Sequence, residues 1–191
     1  MSEGREPCEI LAFLGRDVSA VFGLAVLYTA TFAALWSYGN WSKLVLAVFL
    51  IPMLIWLSIH DLQTFELPDI GTLAVTVIGS AYVAVMAPQA LPIHIATAVG
   101  LAAFFWLLGE VYYRWFGQEG LGIGDAKLFG AGALLLGPWQ IPELVLLPSL
   151  GGIVFHFVCR FRRRGAYPAI PFGPFIAYAI FTLSFLDPIF L

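Results

Sequence analysis

The chain has 191 residues, 61% of them hydrophobic and only 11% charged, with a formal net charge of -3. Soluble domains run at roughly 45–50% apolar and 25% charged residues, so the composition excludes an ordinary soluble domain and predicts a single integral membrane domain over residues 1–191. The charge gives no sign of a nucleic-acid or acidic partner, and Cys8 and Cys159, far apart and outside any CxxC pair, argue against a zinc site.

Residues 1–17 mix Glu3, Arg5, Glu6, Glu9, Arg16 and Asp17 with the short apolar cluster Ile10, Leu11, Phe13 and Leu14, which reads as a tail or interfacial helix too short to span. Val18 to Trp36 is long enough to cross, and its acidic leader separates it from a cleavable secretory signal. A turn around Gly39-Asn40-Trp41-Ser42-Lys43 precedes a second crossing, Leu44 to about Ile59, which ends on His60-Asp61 and contains Pro52, a kink that membrane helices tolerate. The third crossing runs from Ile70 to Ala87 with Asp69 as its N-cap after Pro68. Pro88 and Pro92 bracket the next turn. The fourth runs from about Pro92 to Tyr113, with Glu110 and Arg114 four apart so that they can pair.

After Gly120-Leu121-Gly122-Ile123-Gly124 comes a short apolar helix, Asp125 to Leu136, stopped by Gly137-Pro138. At about 1.5 Å per residue it covers roughly 18 Å of a bilayer core of about 30 Å, so it must pack inside the bundle. Another crossing, Pro142 to Cys159, ends in Arg160, Arg162, Arg163 and Arg164, and the last, Pro171 to about Phe185, reaches Asp187. The fold class is therefore all-α: a polytopic membrane bundle of about six spanning helices and one short helix.

Lys and Arg in short loops stay on the cytoplasmic side. With the N-terminus inside, Arg5, Arg16, Arg114, Lys127, Arg160, Arg162, Arg163 and Arg164 face the cytoplasm and Lys43 alone faces out. The same threading brings Asp61 and Asp125 to one side of the membrane. It also places both cysteines in a reducing compartment. Trp36, Trp41, Trp106, Trp115 and Trp139 fall near expected helix ends, where aromatic belts form.

Asp125 has two readings. It can cap the helix it begins, accepting hydrogen bonds from the free N–H groups of the first turn, or it can be one half of a carboxylate pair. A second carboxylate, Asp61 in the run His60 to Asp69, supports the pair, because a negative charge at a helix C-terminus opposes the dipole and is a poor structural choice.

Gly122-x-Gly124-Asp125 followed by Lys127-Leu128 resembles the GxGD signature of the type IV prepilin peptidases, intramembrane aspartic proteases that remove the leader from pilin-like precursors. Asp61 followed by Leu67-Pro68-Asp69 resembles the family's first catalytic aspartate, and Ile170-Pro171-Phe172-Gly173-Pro174-Phe175 its C-terminal proline-glycine segment. The resemblance covers residues 44–187, the peptidase-like core. It implies Asp61 and Asp125 as catalysts at the cytoplasmic face of a bacterial inner membrane. It implies as partners the lipid bilayer and a prepilin or pseudopilin precursor, with a short basic leader, cleavage after glycine and then a hydrophobic helix. No nucleic acid, metal or organic cofactor is implied. The long bacterial members carry an N-terminal domain with paired cysteines and a methyltransferase activity. Nothing here matches that domain, so the resemblance supports the peptidase and leaves N-methylation to another protein or to none.

Amide hydrolysis by two aspartates requires them to hold one proton between them, and like charges a few ångströms apart enforce that state. Gly122 and Gly124 suit the turn by permitting backbone angles closed to other residues and a close approach to Asp125. Lys127 matches a basic residue common after the family motif, although snorkelling to the interface explains it equally. Asp69 reads as a helix cap or as a support for the site, Glu66 as a solvated loop residue, His60 as an interfacial polar group and the arginine cluster as a topology determinant. The rival from another class is a proton-coupled transporter using the buried carboxylates, which usually shows an internal repeat that the segments around Asp61 and Asp125 lack. A third reading, a non-catalytic assembly factor, is disfavoured by the intact motifs.

Overall fold

A computed structural model describes residues 18–35, 41–117, 120–162 and 170–186. The expected N-terminal tail, Trp36, the Gly39-Asn40 part of the first turn, Arg163, Arg164 and Asp187 lie outside the described residues. Within them the chain forms α1 (Val18–Leu35), α2 (Trp41–Thr64), α3 (Asp69–Met86), α4 (Leu91–Phe116), α5 (Ile123–Leu136), α6 (Ile141–Arg162) and α7 (Gly173–Phe185), with no strand. Short 3-10 turns, Pro88–Ala90 and Pro138–Gln140, lead into α4 and α6.

The helices continue further than the apolar runs suggest. α2 extends to Thr64, so Asp61 lies in its last turns rather than after them. What stops it is Phe65, whose φ of 57° is left-handed and whose N–H bonds back to the Asp61 carbonyl at 2.9 Å, a cap that glycine usually makes. α4 passes Tyr113 to Phe116 and closes on Gly117, with φ 67° and an N–H to the Tyr113 carbonyl at 2.8 Å. Glu110 and Arg114 pair on its face at 2.8 Å. Trp41, Trp115 and Trp139 sit exposed close to helix ends. Trp106 does not; it stands ten residues before the end of α4, in the wall of a cavity.

Four stretches are long and apolar enough to cross a membrane: Trp41–Thr64, Asp69–Met86, Pro88–Phe116 and Pro138–Val158. Phe22–Ala34 and Gly173–Phe185 are shorter apolar helices. Together with α5 they make an all-helical membrane bundle.

α5 is the centre. A helix apolar on every side has no face to give to water, and from Leu128 to Leu136 each of its residues is buried. Small residues bring its neighbours close: a Cβ on Gly130 would stand 2.9 Å from the Ala102 Cβ, and one on Gly132 would stand 2.7 Å from Ile180 Cγ1. Between membrane helices, where lipid tails are as apolar as leucine, such close packing is the main source of association. α3 and α4 both lean on α5 but scarcely touch each other, while α7 packs between α2 and α6. Leu50, Leu54, Leu57, Ile176, Ile180 and Phe181 fill the core on that side.

Candidate active site

Asp61 is carried by the C-terminal end of α2 and is 4% exposed. Its Oδ2 accepts the Gly173 N–H at 2.9 Å. Gly173 is the first residue of α7, so the carboxylate sits on the positive end of a helix and takes a donor that the helix itself cannot use. A Cβ there would lie 2.8 Å from that same Oδ2, which is why the position is glycine. The Phe172-Gly173-Pro174 turn thus delivers a backbone donor to a buried acid.

Asp125 is the third residue of α5, with Gly122 as N-cap. Its Oδ2 lies beside that glycine, 3.3 Å from where a Cβ on Gly122 would stand. Asp125 does not hold the N-cap position, which Gly122 takes, and no side chain caps the helix. The Asp125 carboxylate faces Asp61. Burial first, and then the Asp61 charge, raise the Asp125 carboxyl to about 7, against the lowering effect of the Gly122 N–H. Asp125 begins a helix too short to span, at the mouth of the bundle.

Both carboxylates line one cavity of about 570 Å³. The Glu66-Leu67 loop, the glycine turn and the α4 residues Trp106, Gly109 and Tyr113 complete its wall.

Gly122 and Gly124 do not use angles closed to other residues. Gly122 has φ -65° and ψ 143°, and Gly124 is helical with no positive φ. Space decides instead. A Cβ on Gly124 would stand 2.8 Å from the Leu67 Cβ, and one on Gly122 would stand 3.3 Å from Asp125 Oδ2.

Asp69 is not the cap of α3. Pro68 takes the N-cap position in extended conformation, no side chain caps the helix, and Asp69 Oδ1 pairs with Lys127 Nζ at 2.5 Å. Lys127 accordingly lies against Asp69, and the pair ties the first turn of α5 to the first turn of α3. With both side chains well exposed, such a bridge contributes at most about 1 kcal/mol. Glu66 is an exposed rim residue of the cavity. His60 holds that loop, its Nδ1 lying 3.0 Å from the Glu66 carbonyl oxygen and 2.9 Å from Thr64 Oγ1.

Gly173 and Leu67 entered the sequence analysis only as members of family-like segments, with no role of their own, and the α4 wall was not expected. For Gly173 a signal existed: a glycine between Phe172 and Pro174 at a helix start marks a turn where backbone must come close to something. For Leu67 and Trp106 there was none, because an apolar residue beside a membrane helix has the same composition whether it faces lipid or a cavity.

Fold and site together define a polytopic helical membrane protein that holds two carboxylates, one buried and one partly buried, in one cavity. The sequence profile of the Type IV leader peptidase family matches residues 48–157, more than half of the chain, and the chain belongs to that family. It is 31% identical over 183 residues to a prepilin leader peptidase/N-methyltransferase of Xanthomonas campestris, covering 91% of this chain and 61% of that protein. It is 36% identical over 125 residues to the protein of the same description from Escherichia coli K12, covering 63% of this chain and 54% of the relative. For that of Legionella pneumophila the identity is 30% over 144 residues, covering 75% and 50%. The chain thus spans between half and three-fifths of the length of these relatives. No solved structure matches it.

Proposed function

We propose that this chain is an aspartic endopeptidase that removes the leader from prepilin or pseudopilin precursors at the cytoplasmic face of a bacterial inner membrane. The observation that carries the reading is that Asp61, on the Gly173 N–H, and Asp125, beside the Gly122 turn, line one cavity. In the working state one proton is shared. The ionised carboxylate takes a proton from a water held between the two, and the hydroxide equivalent attacks the scissile carbonyl carbon. The neutral carboxyl donates to the carbonyl oxygen, and collapse of the tetrahedral intermediate expels the amine, protonated by the acid that first took the water's proton.

The cytoplasmic assignment is supported by the ends of the helices. Arg114 near the end of α4, Lys127 near the start of α5 and the Arg160–Arg162 end of α6 share the side on which Asp61 lies, whereas Lys43 begins α2, about 27 Å away by the rise of the helix. The core of the activity lies within residues 44–187, and the peptidase reading extends to no methyl transfer.

The test is co-expression with a pilin-like precursor, following leader loss by mobility shift. Asp61→Asn and Asp125→Asn keep shape but cannot exchange the proton, so each single variant and the double variant should be about equally inactive at normal membrane levels. Asn caps nearly as well as Asp. Substantial cleavage by either single variant removes the dyad and the protease reading with it.

A further inference from the structure

A groove runs from the cavity down the outside of the bundle. Because α3 and α4 scarcely touch while both pack on α5, a trough of about 470 Å³ opens between them, with α5 as its floor. Its top is the Asp69–Lys127 pair, and these two residues line the cavity and the groove alike. From there it follows Thr72 and Thr76 on one side and Val99 and Ile95 on the other. Asp69 to Thr76 spans about 10 Å at the rise of a helix, two turns of an occupant of the same kind.

The walls select for an apolar partner. Leu73 and Val99 are 62% and 63% exposed. The two threonines add no free donor, since Thr72 Oγ1 donates to the Asp69 carbonyl at 3.0 Å and Thr76 Oγ1 to the Thr72 carbonyl at 2.8 Å. Ala98 and Ala102 low on the α4 wall and Gly130 and Ala131 on the α5 floor leave room for another backbone to approach. The groove opens sideways between spanning helices, toward lipid. A chain that leaves the cavity over the ion pair enters it directly.

We propose that this groove receives the apolar helical segment that follows the cleavage point of the precursor, its first two turns lying between α3 and α4. The residues ahead of that segment then cross the Asp69–Lys127 pair in extended form and reach Asp61 and Asp125. The proposal rests on the peptidase reading above, and it names a path for the substrate: lateral, from the bilayer, on the α3–α4 side only.

The test uses the full chain in proteoliposomes and a synthetic precursor with a short basic leader ending in glycine, followed by about 20 apolar residues, the length of a spanning helix. A photo-crosslinking amino acid replaces Thr76, Val99 or, as control, Phe104, which is exposed on the opposite side of α4. Adducts should form from Thr76 and Val99 to the apolar segment of the precursor, and only weakly from Phe104. Val99→Trp, which fills the trough, should raise KM for this precursor about tenfold with kcat held, a cost of about 1.4 kcal/mol in binding. Phe104→Trp should change neither constant. If the precursor is cleaved but adducts are as strong at Phe104, or form only with lipid or with a second copy of the chain, the groove is refuted and the peptidase reading stands. If the unsubstituted protein does not cleave the precursor, both fall.

Discussion

Gly173→Ala tests the geometry of the site without touching either carboxylate. Two effects oppose each other. Gly173 has no positive φ and stands at the start of α7, so on backbone grounds alanine should stabilise the chain by up to about 0.5–1 kcal/mol. Against this, the new Cβ would meet Asp61 Oδ2 at 2.8 Å, Asp61 Cγ at 3.0 Å and Leu67 Cδ2 at 3.0 Å. Asp61 is otherwise buried and can yield only into the cavity it lines. Either α7 backs away, breaking the 2.9 Å bond from Gly173 N–H, or Asp61 swings into the cavity and leaves that donor. Overpacking of this kind costs about 1–3 kcal/mol, which outweighs the propensity gain. Displacing a reacting group by about 1 Å costs on the order of 100-fold in rate. The expected result is a protein that inserts normally, unfolds somewhat earlier on heating and cleaves the precursor roughly 100-fold more slowly in kcat with KM little changed. The assay is leader release in proteoliposomes, with thermal unfolding of the purified protein alongside. A variant that is both more stable and within about twofold of the normal rate would follow the propensity argument alone, and would refute the placement of Gly173 against Asp61.

Gly124→Val should abolish most cleavage because its side chain would enter the space of the Leu67 Cβ, 2.8 Å from even a bare Cβ; paired with Leu67→Ala, which makes room, part of the rate should return, and no rescue would place the defect elsewhere. Since the Asp125 carboxyl is raised to about 7, its neutral form prevails below that pH and is lost above it. The cleavage rate should fall as pH rises through about 7, and a rate flat from about pH 6 to about pH 9 would contradict a shared proton. Asp69→Asn, which breaks only an exposed ion pair with Lys127, should cost less than about 1 kcal/mol of stability; a loss of several times that would mean the pair anchors α5. A single cysteine at Ser42, in a background without Cys8 and Cys159, should react with an impermeant reagent from outside the cell, and labelling only after permeabilisation would reverse the orientation.

The helices were legible because apolar runs bounded by Gly and Pro leave few alternatives in a membrane. The short α5 was legible from Gly137-Pro138 and its length alone, and its burial followed from being apolar all round. The ends were less so. α2 runs on past Ile59 through His60, Asp61 and Thr64, since polar residues at an interface continue a helix as readily as they leave it, and the stop at Phe65 is a left-handed residue that no composition rule assigns to phenylalanine. At Asp69 the cap rule failed because Pro68 already holds the extended conformation an N-cap requires, which frees the acid to reach Lys127. The glycines of the turn line the cavity, but not through the backbone angles expected of them. Their backbone angles are ordinary, and what they provide is room for Leu67 and for the Asp125 carboxylate, a property of residues distant in sequence or of a fold not yet formed.

That both acids lie at helix ends follows from the low polarity of the surroundings. A buried carboxylate needs donors, and in a bundle of apolar helices the first N–H groups of each helix are a ready source of unused ones. Asp61 alone would be badly placed, at the C-terminal end of α2 where the dipole repels it. The start of α7 reverses that field and supplies the donor. Asp125 lies in the first turn of its own helix, where the dipole favours a negative charge. A fuller set of donors than the Gly173 N–H would hold Asp61 more firmly ionised, and the pair proposed above to share a proton needs one member that can be neutral.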